Sequence, residues 1–206
     1  MIKIIAMVSM LLDHIGEVFF PNTDILIVIG RLAFPLFAWG IAKGLKRTHN
    51  FNKYAIRLLF IAIISQYPHD LLFKSDYSNV CFTLLDGLIV LKLYESKVKY
   101  YFKILGILGL FTIAHSILNF EYGIYGIALI VVFYIFEGKY YLIFLQTVIT
   151  IMGVLLYHFS PVQFVSLLAI LIIDLLQKYD FKINKIIGYG FYPIHLLLLL
   201  GIKQIM

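Results

Sequence analysis

The chain has 206 residues, of which 62% are hydrophobic and 14% charged, with a formal net charge of +6 and a mean hydropathy of +0.96. A soluble domain carries about 25% charged residues, so an ordinary soluble fold is excluded, and the lack of apolar/polar alternation excludes a transmembrane barrel. The single cysteine, Cys81, excludes an internal disulfide and a multi-cysteine metal site.

Apolar runs of membrane-spanning length recur from one end of the sequence to the other. They predict an all-α, polytopic membrane helix bundle of about nine spans, forming one integral membrane domain over residues 1–206. The expected spans are Ile2–Phe20, Ile25–Ala42, Tyr54–Leu72, Asn79–Tyr94, Tyr101–Leu118, Gly123–Phe136, Tyr140–Tyr157, Val162–Leu176 and Ile186–Ile205.

The first span carries Asp13 and His14 side by side, with Glu17 one turn later. An Asp at mid-membrane costs roughly 2.5–3.5 kcal/mol, and intramembrane ionisable groups are functional candidates by default. This charge, with no strongly basic leader and no small-residue cleavage site, argues against a secretory signal. An Asp beside a His can hold an imidazole as a general base. Neighbouring helix positions point about 100° apart, however, so His14 is expected to find its direct partner on another helix.

The second span reads G-R-L-A-F-P-L-F-A-W-G over Gly30–Gly40. Arg31 stays protonated and needs an anionic or carbonyl partner; Asp13 on the preceding hairpin arm is the obvious one. Pro35 removes a backbone donor and frees a carbonyl. In the third span Arg57 reads as an anchor near one end. Gln66 and Pro68 lie at the other, where a polar helix break could shape a pocket. Asn79 is placed to cap the fourth span, in which Asp86 requires a partner; Arg31 and Arg57 are the only arginines within spans. Glu121-Tyr122-Gly123 reads as a glycine-eased helix start. In the last span Tyr192 and His195 stand at i and i+3, so they share a face, and that face could meet His14. Pro193 predicts a kink there.

Loop charge sets the topology. Lys43, Lys46, Arg47 and Lys53 lie in one loop, Lys97, Lys99 and Lys103 in another, and Lys178, Lys182 and Lys185 in a third. The alternating loops carry only Lys74. The positive-inside rule then predicts a cytoplasmic N-terminus and an outer C-terminus. Asp13, His14, Arg31, Gln66, His69, Asp70, Asn79, His115, Glu121 and His158 fall toward the outer half and Arg57 and Asp174 toward the inner half, which predicts a polar cavity open to the outer side. The basic residues mark a membrane face that suits an anionic ligand, not a nucleic-acid surface.

The segments Lys3–Gly16, Gly30–Gly44, Arg57–Pro68, Asn79–Gly87, Glu121–Gly126 and Phe191–Leu196, taken in order, resemble the TraX family, named for the pilin acetylase of conjugative plasmids. The most specific pieces are D-H-I-G, R-L-A-F-P and Y-P-I-H, and the resemblance covers essentially the whole chain. More remotely, it is similar to transmembrane acyltransferases that modify sugars and polymers beyond a membrane.

The resemblance implies an acetyltransferase in a bacterial cytoplasmic membrane, taking acetyl from cytoplasmic acetyl-CoA to a membrane-associated or envelope acceptor bearing an amine or hydroxyl. It implies His14 as catalytic base with Asp13 beside it, and Arg31, Gln66, Asn79, Tyr192 and His195 lining the substrate cavity. Lys43, Lys46, Lys97 and Lys99 would attract the CoA phosphates, and no metal is expected. The residues alone leave other readings open: a proton-coupled transporter using Asp13, His14, Arg31 and Asp86 as a relay, a haem protein with His14 and His195 as axial ligands, or a scaffold.

Overall fold

The computed structural model describes residues 1–21, 23–112, 119–179, 181 and 183–205. Ten α-helices follow in order: α1 (Ile2–Phe19), α2 (Asp24–Gly30), α3 (Ala33–Arg47), α4 (Phe51–Phe73), α5 (Val80–Glu95), α6 (Tyr100–Thr112), α7 (Gly123–Ile135), α8 (Lys139–Tyr157), α9 (Leu168–Leu176) and α10 (Lys185–Ile205). A 3₁₀ segment, Pro161–Leu167, leads into α9, and another, Gln177–Tyr179, follows it. The fold is all-α among the described residues. An isolated bridge joins Ser78 and Phe120.

Each expected apolar run is largely helical over its described residues, the eighth opening as a 3₁₀ segment. The second is divided: α2 stops at Gly30 and α3 begins at Ala33. Pro35 cannot donate to the Arg31 carbonyl four residues back, and the break falls there. The expected break near Gln66 is absent, because α4 runs unbroken through Pro68. Gly123, at φ +45°, turns the chain into α7 in a conformation costly to any residue with a Cβ.

Five stretches are long and apolar enough to cross a membrane: Asp24–Arg47, Phe51–Phe73, Lys139–Tyr157, Pro161–Tyr179 and Ile186–Ile205. The chain is a multi-pass membrane protein. The nine expected runs are not equivalent as spans, however. α1 is 18 residues long but carries Lys3, Asp13 and Glu17. α7 has 13 residues, about 20 Å of helix against a hydrocarbon core of about 30 Å. α7 is largely buried by its neighbours, so it need not match the lipid thickness by itself. The expected extension of the fifth span to Leu118, with His115, lies outside the described residues, as does Lys182.

α3 is the central column, with Phe34, Leu36, Ala38, Trp39, Ile41 and Ala42 all buried. It packs on α1, α5 and α7, while α10 packs on α4 and α1. Large apolar side chains on the outer faces of α8 and α10, among them Leu155, Leu156, Leu197 and Leu198, stay exposed, as a lipid-facing surface requires.

The helix ends sort into two faces. At the basic end Lys46 pairs with Glu137 at 3.5 Å and Lys139 with Asp174 at 3.4 Å. At the opposite end Lys203 donates to the Leu72 carbonyl at 2.8 Å, and backbone bonds join Ser78 to Asn119 and Glu121.

Candidate active site between α1, α4 and α10

His14 and Asp13 separate as the helical rotation between neighbours dictates. Asp13 turns to α2, where its Oδ1 accepts from Arg31 Nη2 at 2.9 Å. Gly30 permits this approach, since a Cβ there would fall 2.1 Å from Asp13 Oδ1. The Arg31 Nε also donates to the Ile27 carbonyl at 3.3 Å, a group that the α2/α3 break brings within reach. Asp13 therefore anchors Arg31 and does not orient His14, as the adjacency in sequence had suggested.

His14 turns to α10. Its Nδ1 lies 2.8 Å from His195 Nε2, and both imidazoles are buried. His195 Nδ1 is 2.9 Å from the Phe191 carbonyl, which can only accept. His195 therefore carries its proton on Nδ1, its Nε2 accepts, and His14 Nδ1–H donates to it. With Nδ1 protonated, the unprotonated nitrogen of neutral His14 is Nε2. This chain of bonds, Phe191 to His195 to His14, fixes the tautomer of His14 as a carboxylate partner can fix that of an imidazole. The rings touch directly, so no iron fits between them as a haem would need.

Phe73 packs edge-on to His14 at 4.9 Å and against His69 at 5.1 Å. His69, buried on α4, has Asp70 at 3.4 Å from its Nδ1 and Glu121 at 4.0 Å from its Nε2. Tyr192 stands one turn before His195, its ring 6.5 Å from that of His14 and 5.4 Å from that of His195. Its buried hydroxyl oxygen faces the Val80 backbone N–H, and among the described residues its proton has no acceptor. The shared face expected for Tyr192 and His195 does meet α1.

Three carboxylates, Asp13, Glu17 and Glu121, act on Arg31 or on one another. In the turn before α7, burial pushes Glu121 up to about 7, with Glu17 and Asp13 adding like charge. Glu17, His69 and Glu121 were not among the expected site residues. The i,i+4 spacing of Asp13 and Glu17 was a usable signal; the approach of the Glu121 turn was not.

Gln66 and Asn79 form a staple between α4 and α5. The Asn79 side chain caps α5 at Cys81 N, 3.0 Å away, and donates to the Ala62 carbonyl and to Gln66 Oε1, both at 2.8 Å. Gln66 also donates to Asp70 at 2.6 Å. Asp86 is a correction: no arginine reaches it. Arg31 is taken by Asp13, Arg57 donates to the Lys53 carbonyl and lies over the Tyr189 ring, and Asp86 Oδ2 has no partner. A relay from Asp13 and Arg31 through Asp86 has no hydrogen-bonded path among the described residues.

Cavities open in the bundle on different faces of α3. One, of about 370 Å³, lies at the basic end and is lined by Trp39, Lys43, Lys46, Lys139, Asp174 and Gln177 among others. Lys43 lies 4.2 Å over the Trp39 ring. Lys97 and Lys99, in the α5–α6 loop, do not line it. The other, of about 300 Å³, extends from Lys3, Tyr54 and Asn184 to Val80, Cys81 and Tyr192; the Tyr192 ring separates it from the histidine pair, 5.4 Å from His195 and 6.5 Å from His14. Among the described residues no three His, Cys, Asp or Glu side chains converge as a metal site.

The profile of the family described as "TraX protein" matches residues 1–203. The chain belongs to the TraX family. Among curated proteins, it is similar to the "Probable fimbrial assembly protein FimC, serogroup H1" of Dichelobacter nodosus. The identity is 28% over 240 residues, covering 98% of this chain and 94% of the relative. No solved structure matches. The TraX match spans every helix that builds the site, from His14 to His195.

Proposed function

We propose that this TraX-family membrane protein transfers acetyl from acetyl-CoA to an amine or hydroxyl of a membrane-associated or envelope acceptor, with His14 as general base. The observation that carries the reading is the His14–His195 hydrogen bond at 2.8 Å. It leaves a buried imidazole with its basic nitrogen assigned, which a merely structural histidine does not need. Family membership supports the acetyl chemistry, because TraX is associated with pilin acetylation. The fimbrial-assembly name of the Dichelobacter relative points to an acceptor handled at the membrane.

In the proposed reaction the acceptor nitrogen or oxygen attacks the thioester carbonyl while His14 Nε2 takes its proton. The tetrahedral oxyanion needs donors already in place. The Tyr192 hydroxyl, buried and with its proton free of any acceptor among the described residues, is such a group, and Arg31 supplies positive charge from the Asp13 side. The C–S bond then breaks, and the imidazolium returns the proton to the CoA thiolate. Lys43, Lys46, Lys97 and Lys99 give the basic end a field that draws the CoA phosphates. That end faces the cytoplasm by the positive-inside rule, with the N-terminus inside and the C-terminus outside.

The test is release of free CoA from acetyl-CoA by purified protein in nanodiscs, with acetyl-CoA binding measured on the same sample. A general base contributes about 10²–10⁴-fold, so His14→Ala is expected to lose turnover by that factor while keeping donor binding. Full turnover in His14→Ala refutes the role of His14. Neither turnover nor binding by the wild-type protein refutes the reaction.

A further inference from the structure

We propose that the groove between α1, α3, α4, α5 and α10 is the channel by which the slender arm of the acyl donor reaches the histidine pair. This inference rests on the acetyltransferase reading above.

Along α1 the groove runs from Lys3 to Met10, and along α4 from Tyr54 to Ile61. Seven residues of helix in each case give it a depth of about 10 Å. It starts at the basic end, where Lys3 and Asn184 line the mouth and Arg57 lies over the ring of Tyr189, itself a wall residue. It closes at Val80, Cys81 and Tyr192. Its walls are otherwise mostly apolar.

Two features mark this space as built for an occupant. The first is the Tyr192 hydroxyl at the closed end. The residue is 6% exposed; the Val80 backbone N–H faces its oxygen, and among the described residues no acceptor takes its proton. Native interiors seldom leave a buried hydroxyl unsatisfied without a reason. A bound carbonyl oxygen would accept its proton, beside the rings of His14 and His195.

The second is a pair of glycines, Gly40 on α3 and Gly188 on α10, both lining the groove. Glycine weakens a helix interior and is retained where something must come close. At these two positions no described atom lies within 4 Å of where a Cβ would stand. No packing partner among the described residues accounts for them. What their missing side chains preserve is the open channel.

The chemistry selects the donor over a lipid tail. A lipid tail ends in a methyl group and offers Tyr192 no acceptor. A thioester on a thin amide-and-methylene arm offers a carbonyl at the closed end and phosphates at the cationic mouth. The donor's phosphates then sit at Lys3 and Arg57, on a different face of α3 from the cavity of Lys43 and Lys46.

The experiment is equilibrium binding of radiolabelled acetyl-CoA to the full-length protein in detergent, comparing wild type, Gly40→Leu, Gly188→Leu and Gly201→Leu. Gly201 also has open space around it but lies outside the groove. All three substitutions favour the helix, so no thermal midpoint should fall. Gly40→Leu and Gly188→Leu are expected to bind roughly tenfold more weakly or worse, about 1.4 kcal/mol, and Gly201→Leu as wild type.

Cys81, the only thiol, gives a second measurement on the unaltered protein: acetyl-CoA should slow its alkylation by N-ethylmaleimide. Wild-type affinity in both groove variants, with no protection of Cys81, overturns the channel while leaving the acetyltransferase reading intact. A groove that holds lipid would give that result. Absence of acetyl-CoA binding by the wild type overturns the reading itself, and the channel with it.

Discussion

Replacing His195 by Phe keeps a flat ring in the α1/α10 contact and removes the acceptor of the His14 proton. His14 is 7% exposed, so water does not take over, and its Nδ1–H would stand unsatisfied in the bundle. An unsatisfied buried donor costs about 1–3 kcal/mol. The imidazole can avoid that cost by moving its proton to Nε2, and it then loses the basic nitrogen on which the proposed chemistry depends. The reactive tautomer becomes rarer by the same free energy, roughly 5- to 150-fold at about 1.4 kcal/mol per factor of ten. Turnover of acetyl-CoA should fall by that factor at unchanged donor affinity. His195→Gln, whose Oε1 can accept, should recover part of it. The ¹⁵N shifts of histidine-labelled protein read the tautomer directly: His14 should exchange the identities of its two nitrogens in His195→Phe and not in His195→Gln. Wild-type turnover in His195→Phe refutes the reasoning. So does a loss of turnover with the His14 tautomer unchanged, which would make His195 a packing residue only.

Asp13 and Arg31 form a partly buried pair, with side-chain exposures of 14% and 25%. Removing either partner as Asp13→Ala or Arg31→Ala should destabilise the protein by about 3 kcal/mol, the low end for a buried pair. The double variant should cost at least about 1 kcal/mol less than the sum; reversible unfolding in mixed micelles measures this, and additivity would show that the two charges do not act as a pair. Glu121 sets a pH dependence. Its folded-state pKa of about 7 lies above the ordinary value of 4.5, so between those values the folded state binds more protons than the unfolded state. The stability it contributes is complete below about pH 4.5 and is lost as pH rises toward 7. The thermal midpoint should therefore fall between pH 5 and 8, and Glu121→Gln should flatten that slope; an unchanged slope would assign the titration elsewhere.

Much of the site could be read from the sequence because charge is scarce in this chain. A carboxylate and an arginine in consecutive apolar runs have few other partners, and Asp13 with Arg31 is the pair that forms. Spacing likewise put Tyr192 and His195 on one face, and that face meets His14. The same scarcity misled at Asp86, which seemed to need an arginine and stands without one. Residues contributed by turns were not legible. The carboxylate of Glu121 reaches His69 and the Arg31 cluster only because backbone bonds tie Asn119 and Glu121 to Ser78. No periodicity encodes that approach.

The glycines show why the groove was equally hidden. Gly30 and Gly40 belong to one short segment and look alike in sequence, yet a Cβ at Gly30 would collide with Asp13, whereas one at Gly40 would meet nothing. The first glycine permits a contact and the second preserves a space, and only the neighbouring helix tells them apart. Asp13 and His14 divide in the same way. Adjacent in the chain, they face α2 and α10 respectively, so one helix position fixes the α1–α2 contact and the next assembles the proposed catalytic pair. A shift of α1 that moved Asp13 from Arg31 would also move His14 from His195. The ion pair therefore acts on the proposed chemistry as a positioning element, at a distance from the reacting atoms and without touching the imidazole.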